Sequence, residues 1–522
     1  AGVGLVGAVD LGGELLAIPK PNMKKIEIRF FSAVVLLVAA LVASFVVDNR
    51  SDPTDEVGES QVSDVSATMP EVGAATQSQS AWFCPGVPAN DKTVSGEILV
   101  ANSTETPING KITFYSTDKK PVSALLVIQP FSQGVFDATG GRRDRFVSAV
   151  VELDNSFAAV EQRIVHPAGD SVALCANRPS DKWFFADGFT GADSIFEIVL
   201  TNPYPDATVV DISFVTAEGR RDPISLKGVV LEPESVYSLS MGDQGARNEA
   251  VLAVAIRATT GRFVAGKMQH FLGRGRLGYS SSLGVPATSR QWWFADGQKD
   301  IDVDEQLVVF NPTDNDKSVS VAFLTGAGDE VFREPLVLTI PAGRVTILAT
   351  SSLPAITDGR YGIVVTSIND DFVAASSGED REFVVVEHVL SRKVAKKTGT
   401  TVSFGVPSGS PSKTWTIAGG LATAGGQFIV ANTTSVDAVL KVSSVGPAGV
   451  VAWDGLENLG LGSSAVLAIK IPATAANLQL IIESDIEIVV QRELSRGHDL
   501  VGHSSVLALP YRSSNPAIET GE

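Results

Sequence analysis

The sequence predicts an all-β protein: four tandem immunoglobulin-like β-sandwich repeats behind one N-terminal transmembrane helix. Three observations predict it. A motif of aromatic, apolar and small residues ending in glycine recurs as AWFCPG (81–86), WFFADG (183–188), WWFADG (292–297) and WTIAGG (415–420). Within the copies apolar residues alternate with polar ones, as in Val210-Asp-Ile212-Ser-Phe214 and Val319-Ser-Val321-Ala-Phe323, which is the period of a half-buried strand. One uncharged run of 18 residues, Phe30 to Val47, is just long enough to cross a hydrocarbon core of ~30 Å as a helix.

The first element is residues 1–29, expected in the cytoplasm, because Lys24, Lys25 and Arg29 precede the apolar run and Asp48 follows it. Met23, the first methionine, directly precedes the Lys-Lys pair and is the expected translation start. No A-x-A site closes the run 30–47, which favours a retained signal-anchor over a cleaved signal peptide. Both readings export everything downstream. Residues 48–80 carry seven acids against Arg50 alone and few large apolar side chains. Such a segment buries too little to offset the entropy of ordering, so it reads as a disordered acidic linker.

The repeats follow at 81–180, 181–290, 291–411 and 412–512, with a polar tail at 513–522. An asparagine closes an apolar run in each copy: Asn102, Asn202, Asn311 and Asn432. Ten residues on stand Ile112, Ile212, Val321 and Val442, and two further Phe114, Phe214, Phe323 and Ser444. The asparagines read as a strand-ending turn device, since Asn side chains bond nearby backbone. Each copy then closes through an apolar strand, read at FAAV (157–160), FVAG (263–266), FVAA (372–375) and IVVQ (488–491), followed by Pro179, Pro286, Pro407 and Pro510. On that reading the third copy carries about a dozen extra residues near 376–400, since its phenylalanine stands 35 residues from its proline. About seven strands per ~100 residues is the signature of a sandwich. A propeller would repeat every ~40–50 residues, and no such half-period is present.

Composition excludes several functions. The chain has 522 residues and a net charge of −18, of which −6 belongs to 48–80 and the only basic excess, +1, to 1–47. Phosphate binding needs a basic face, so no nucleic-acid partner is expected. The two cysteines, Cys84 and Cys175, lie on the opening and closing strands of the first copy and are expected to form a disulfide in an oxidising compartment. His166, His270, His388, His498 and His503 occupy no equivalent positions and form no metal motif. The acids Asp300, Asp302, Asp304 and Glu305, near Asp296, fail the Ca²⁺-loop pattern and read as a solvated turn. Ser116-Thr-Asp-Lys119 and Lys397-Thr-Gly399 match a penicillin-binding set only by chance, because the serine ends a strand and the two segments lie in different copies. No catalytic, cofactor or metal residues are expected. Trp82, Trp183, Trp292, Trp293 and Trp415 recur at the repeat junctions, where packing between consecutive sandwiches is preferred over stacking on a sugar.

The opening motif, Asn202-Pro203 and Asn311-Pro312, and the strand Gly502-His503-Ser504-Ser505 together resemble an uncharacterised actinobacterial family of single-span cell-envelope proteins. The pattern departs in copy one, at Pro85, and in copy four, at Gly419. That resemblance implies a location and a fold and no established activity. The expected function is a non-enzymatic, membrane-anchored, extracytoplasmic structural or interaction protein of the bacterial envelope, with an envelope protein as partner. The alternative is a cell-wall glycan-binding module that uses the junction aromatics.

Overall fold

The computed structural model describes residues 69–73, 79–117, 119–326, 335–354, 356, 358–368, 382–419, 426–497 and 500–511. The expected start at Met23, the apolar run 30–47, most of the acidic linker, the strand read at 372–375, His498 and the tail 513–522 lie outside the described residues. Among the described residues the secondary structure is strand and short 3₁₀ turns, and no helix is long and apolar enough to cross a membrane.

Among the described residues the strands form seven sheets, and every pairing between named strands is antiparallel. In each of four successive stretches the opening strand joins one sheet and the strand ending in asparagine joins another. The second sheet closes in a hairpin. These hairpins are β1 (Ala159–Val165) with β2 (Ser171–Leu174), β3 (Val264–Gly273) with β4 (Arg276–Leu283), β5 (Val385–Val394) with β6 (Lys397–Phe404), and β7 (Gln479–Ser495) with β8 (His503–Leu507). The strand order is the same each time: a short edge strand, the asparagine strand, then the two hairpin strands. β7 is long enough to serve both sheets of the fourth stretch, pairing Ser412–Ile417 with its first half and Gln427–Asn432 with its second. This continuity fuses those sheets into one of nine strands.

The register gives the equivalences residue by residue. Three positions before each asparagine, Leu99 faces Glu161, Val199 faces Gly266, Val308 faces Glu387 and Ile429 faces Gln491. The third stretch therefore takes its strand from Phe383-Val-Val-Val386. Val384 occupies the place of Phe263 and Ile488, 23 residues from Pro407. The insertion precedes this strand instead of following it. FVAA and FVVV, eleven residues apart, have the same apolar pattern, and alternation alone cannot separate two such runs.

The four units close a ring. β2 packs on β4, β4 on β6, β6 on β8, and β8 returns to β2. Each contact is head to tail, the opening motif of one unit meeting the hairpin of the next, and such contacts make a ring when the rotation closes. Residues 69–73 strap the closure: Val72 bridges Tyr511 at the end of the fourth unit, and the Gly73 amide donates to the Ser156 carbonyl of the first.

Candidate functional site

Two devices recur inside every unit. Each asparagine is buried, and its Nδ2 donates to the carbonyl four residues on, Thr106, Asp206, Asn315 or Val436, at 2.7–2.8 Å. The same amide reaches two carbonyls of a neighbouring strand end, such as Ile340 and Pro341 for Asn311. Its Oδ1 accepts the amide two residues on, as from Thr313. One side chain thus satisfies a turn and ties it to the sheet edge.

The second device is the opening tryptophan. Trp82, Trp183, Trp292 and Trp415 are buried opposite Val151, Ile256, Val365 and Ile482 of their own units. The indoles of Trp183, Trp292 and Trp415 donate to the carbonyls of Phe263, Val384 and Ile488 at 2.8–3.0 Å. The expected packing between consecutive sandwiches thus gives way to enclosure within the unit, because the indoles of Trp183, Trp292 and Trp415 reach strand carbonyls of their own sheet pairs; Trp82 donates to Ser80 at 3.3 Å, and Trp82 and Trp183 also border a cavity shared by units one and two. Trp293 is half-buried, paired with Val406, while Trp292 pairs with Pro407. Cys84 and Cys175 form a disulfide between the end of the opening strand and the residue after β2.

The seams between units carry buried polar groups. At the seam of units two and three, Oε2 of Glu387 accepts the amides of Ala186 and Asp187 at 2.8 and 2.6 Å. Oε1 of Glu387 pairs with Lys267, whose Nζ also reaches the Asp187 carbonyl. Burial pushes the Glu387 carboxyl above its usual range, against the pull of Lys267. At the seam of units three and four, Gln491 accepts the Ala295 amide at 3.2 Å. Glu493 there binds Arg360 and Arg392, each at 2.7 Å. Burial would raise the Glu493 carboxyl, but the two guanidiniums bring it down to about 2. At the closing seam, Glu161 of unit one accepts the Ala418 amide of unit four at 3.1 Å and pairs with Arg492. The remaining seam differs: Gly266 lies directly against Pro85.

A second buried position lies four residues before each asparagine, where Ile98, Ile198, Leu307 and Phe428 face Gln162, Lys267, His388 and Arg492. Gln162 exchanges two hydrogen bonds with Gly86. His388 lies between two carboxylates, with Nδ1 3.0 Å from Asp296 and Nε2 2.8 Å from Glu305. Tyr361 and Thr350 donate to Glu305, and Ser505 donates to Asp296 at 2.8 Å. Burial alone would lower the imidazole, yet Asp296 and Glu305 overturn that and hold it up at about 10. His388 is therefore a cation at neutral pH, enclosed with its counter-charges. The solvated-turn reading survives for Asp300 and Asp302, which are exposed, and fails for Glu305, which is buried.

Arg496 stands where all four units meet. Its guanidinium donates to the carbonyls of Thr400 in unit three, Tyr279 in unit two and, at 3.5 Å, Ala168 in unit one. Its own carbonyl accepts the Asp170 amide at 2.8 Å. Burial lowers this guanidinium to about 10. A cavity of about 70 Å³ is lined by Val172, Leu283, Phe404 and Leu507, one from each unit, together with Ser282 and Ser403, and Met69 and Pro70 border it. A larger cavity of about 280 Å³ lies beside the strap, with Trp82 and Trp183 in its wall among Ser80, Asn177 and Arg178.

The seam residues Glu161, Lys267, Glu387, Gln491 and Arg492 were not singled out from sequence. A signal existed: in AVEQ, VAGK, VVEH and VVQR a polar or charged residue interrupts an apolar strand at one register. Reading the third strand at 372–375 hid it, because His388 then matched nothing. Among the described residues no group of three His, Cys, Asp or Glu side chains could hold a metal ion.

Residues 147–387 match a family model described as "Family of unknown function (DUF5719)". No curated protein matches the chain. Among solved structures, one titled "Crystal Structure of Thermotoga maritima 1070" aligns with 23% of this chain and 94% of its own length, at 16% identity and a TM-score of 0.17.

Proposed function

We propose that this chain is a membrane-anchored scaffold of the bacterial envelope, with four immunoglobulin-like sandwiches held outside the membrane by the helix 30–47 and the acidic linker. The observation that carries the reading is where the buried charges sit: Glu161–Arg492, Lys267–Glu387 and Glu493 with Arg360 and Arg392 each join two units. Such groups fix one arrangement of rigid parts, as a scaffold requires. The Cys84–Cys175 disulfide supports an oxidising, extracytoplasmic setting. Around the perimeter, sheet-edge strands keep apolar side chains in solvent, Leu125 at 86% exposure among them. Unpaired edges of this kind are where a partner protein adds a strand.

The test is protease shaving of intact cells followed by crosslinking in native membranes. Digestion of the 81–511 region from outside, with a defined envelope protein crosslinked through residues 122–128, is expected. Protection of that region in intact cells, with digestion only after lysis, overturns the location. Glycan binding remains the second reading because the 280 Å³ cavity combines two indoles with Asn177 and Arg178. Saturable binding to purified peptidoglycan, lost on Trp183→Ala but retained on Trp293→Ala, would replace the scaffold reading.

A further inference from the structure

The seam between the first and second units is built unlike the other three. Elsewhere a carboxylate or amide of the hairpin accepts the amide of the opening motif, from Ala186, Ala295 or Ala418. Here Gly266 meets Pro85, which has no N–H to donate. Besides the hydroxyl contacts of Thr201 with Ser148 and Ser281 with Ser171, a cluster of rings crosses this seam. His166, just after β1, stacks on Tyr279 of β4 with centroids 4.0 Å apart and planes within 10°. His270 of β3 meets the same His166 edge-on at 5.0 Å. The two imidazoles thus face each other from different units, next to the Arg496 guanidinium that closes the ring interior.

We propose that the first seam is an acid-sensitive joint, which loosens when His166 and His270 take up protons. The charges around them oppose that uptake. Burial and the neighbouring His270 bring His166 down to about 4, with Arg496 adding to the effect. Burial also lowers His270. The acids within reach do not compensate: Asp170 is already bound by Arg163 at 2.7 Å, and Asp91 is exposed and held by Thr93. Glu197, which faces Tyr279, is paired with Arg145. Protonating both rings would place three cations together across the seam.

The sign follows from linkage. Both groups are held below their unfolded values, so their contributions are complete above about pH 6.5 and are lost as pH falls, that of His166 as pH nears 4. An opened seam binds protons that the closed one excludes. For His166 alone, lowering pH from 7.5 to 5 shifts the opening equilibrium by about tenfold or more, even allowing for its partial exposure. The seam of units three and four behaves differently, because His388 there is already a cation between two carboxylates.

The experiment is hydrogen–deuterium exchange of the full chain in detergent micelles at pH 7.5 and 5.0, corrected for intrinsic exchange rates. Peptides from 159–174 and 264–283 are expected to exchange at least about tenfold faster at pH 5.0, while 385–404 changes little. His166→Phe keeps a ring on Tyr279 without a titrating nitrogen and should remove most of the acceleration; His270→Gln should remove part of it. Equal protection of the first seam at both pH values, uniform acceleration of all four hairpins, or an unchanged response in His166→Phe each overturns the proposal. If a variant does not fold, the comparison of hairpins in the natural sequence still decides.

Discussion

Ring closure makes a quantitative demand on Glu161 and Arg492, which stand 331 residues apart and meet only if unit four returns to unit one. Both side chains are about 1% exposed. Removing one partner of such a pair leaves a buried charge uncompensated, at a cost of about 3–5 kcal/mol, whereas replacing both costs far less. Glu161→Gln keeps an acceptor for the Ala418 amide, which now lies 3.1 Å from Oε1, and strands only the guanidinium; about 3 kcal/mol is expected. Arg492→Met strands the carboxylate and should cost a similar amount. The double variant should fall short of the sum by at least about 2 kcal/mol. Urea unfolding alone mixes several transitions in a chain of this size. The decisive reading is therefore hydrogen exchange of the segment 412–419, which reports local opening of the closing seam. A coupling below about 0.5 kcal/mol, or additive losses on that segment, would refute closure through this pair.

Three further outcomes follow from the same geometry. Asn311→Ala removes the amide donor shared by the Asn315, Ile340 and Pro341 carbonyls, of which Asn315 keeps the Thr313 hydroxyl, and should lower stability by about 1–3 kcal/mol in urea titration; Asn311→Asp, which cannot donate, should do no better. Removing the Cys84–Cys175 bond by double substitution to alanine should cost about 4.5 kcal/mol through chain entropy, given the separation of 91 residues, and should shift the unfolding of the first unit most. His388 is raised to about 10, so its contribution is complete below about pH 6.5 and is lost as pH rises toward 10, at about 1.4 kcal/mol per pH unit. The alkaline limb of a stability–pH curve should flatten in His388→Gln, and an unchanged limb would show that the imidazole is not the group responsible.

Much of the repeating build is visible in the amino-acid order because it rests on local rules. The asparagines mark the same turn because one amide must satisfy carbonyls that a strand end leaves open. Alternation locates the strands flanking them, as at 210–214 and 319–323. The cysteines find each other because opening and closing strands are neighbours inside one unit. The tryptophans are legible as packing residues but not as to what they pack against. An indole buried under its own sheet pair and one wedged between two units leave the same mark in a sequence.

The seams are harder to read for a different reason: their register is constant while their chemistry is not. At one position the four units place Glu161, Gly266, Glu387 and Gln491, and no single residue type announces that position as an interface. What each residue must be is set by the opening motif of another unit. Glu161, Glu387 and Gln491 all face an amide, so any acceptor of the right length serves. Gly266 faces Pro85, and a Cβ there would stand 2.6 Å from the Pro85 carbonyl oxygen and 2.5 Å from its Cβ. A proline in the motif withdraws the donor, and a glycine in the hairpin withdraws both the acceptor and its bulk. Considered separately, Pro85 is a departure from the motif and Gly266 is only a small residue in a strand. Across the seam they are one compensated change: this joint alone lacks the bond from the opening-motif amide to a hairpin acceptor, and ring packing joins the Thr201–Ser148 and Ser281–Ser171 hydrogen bonds in holding it.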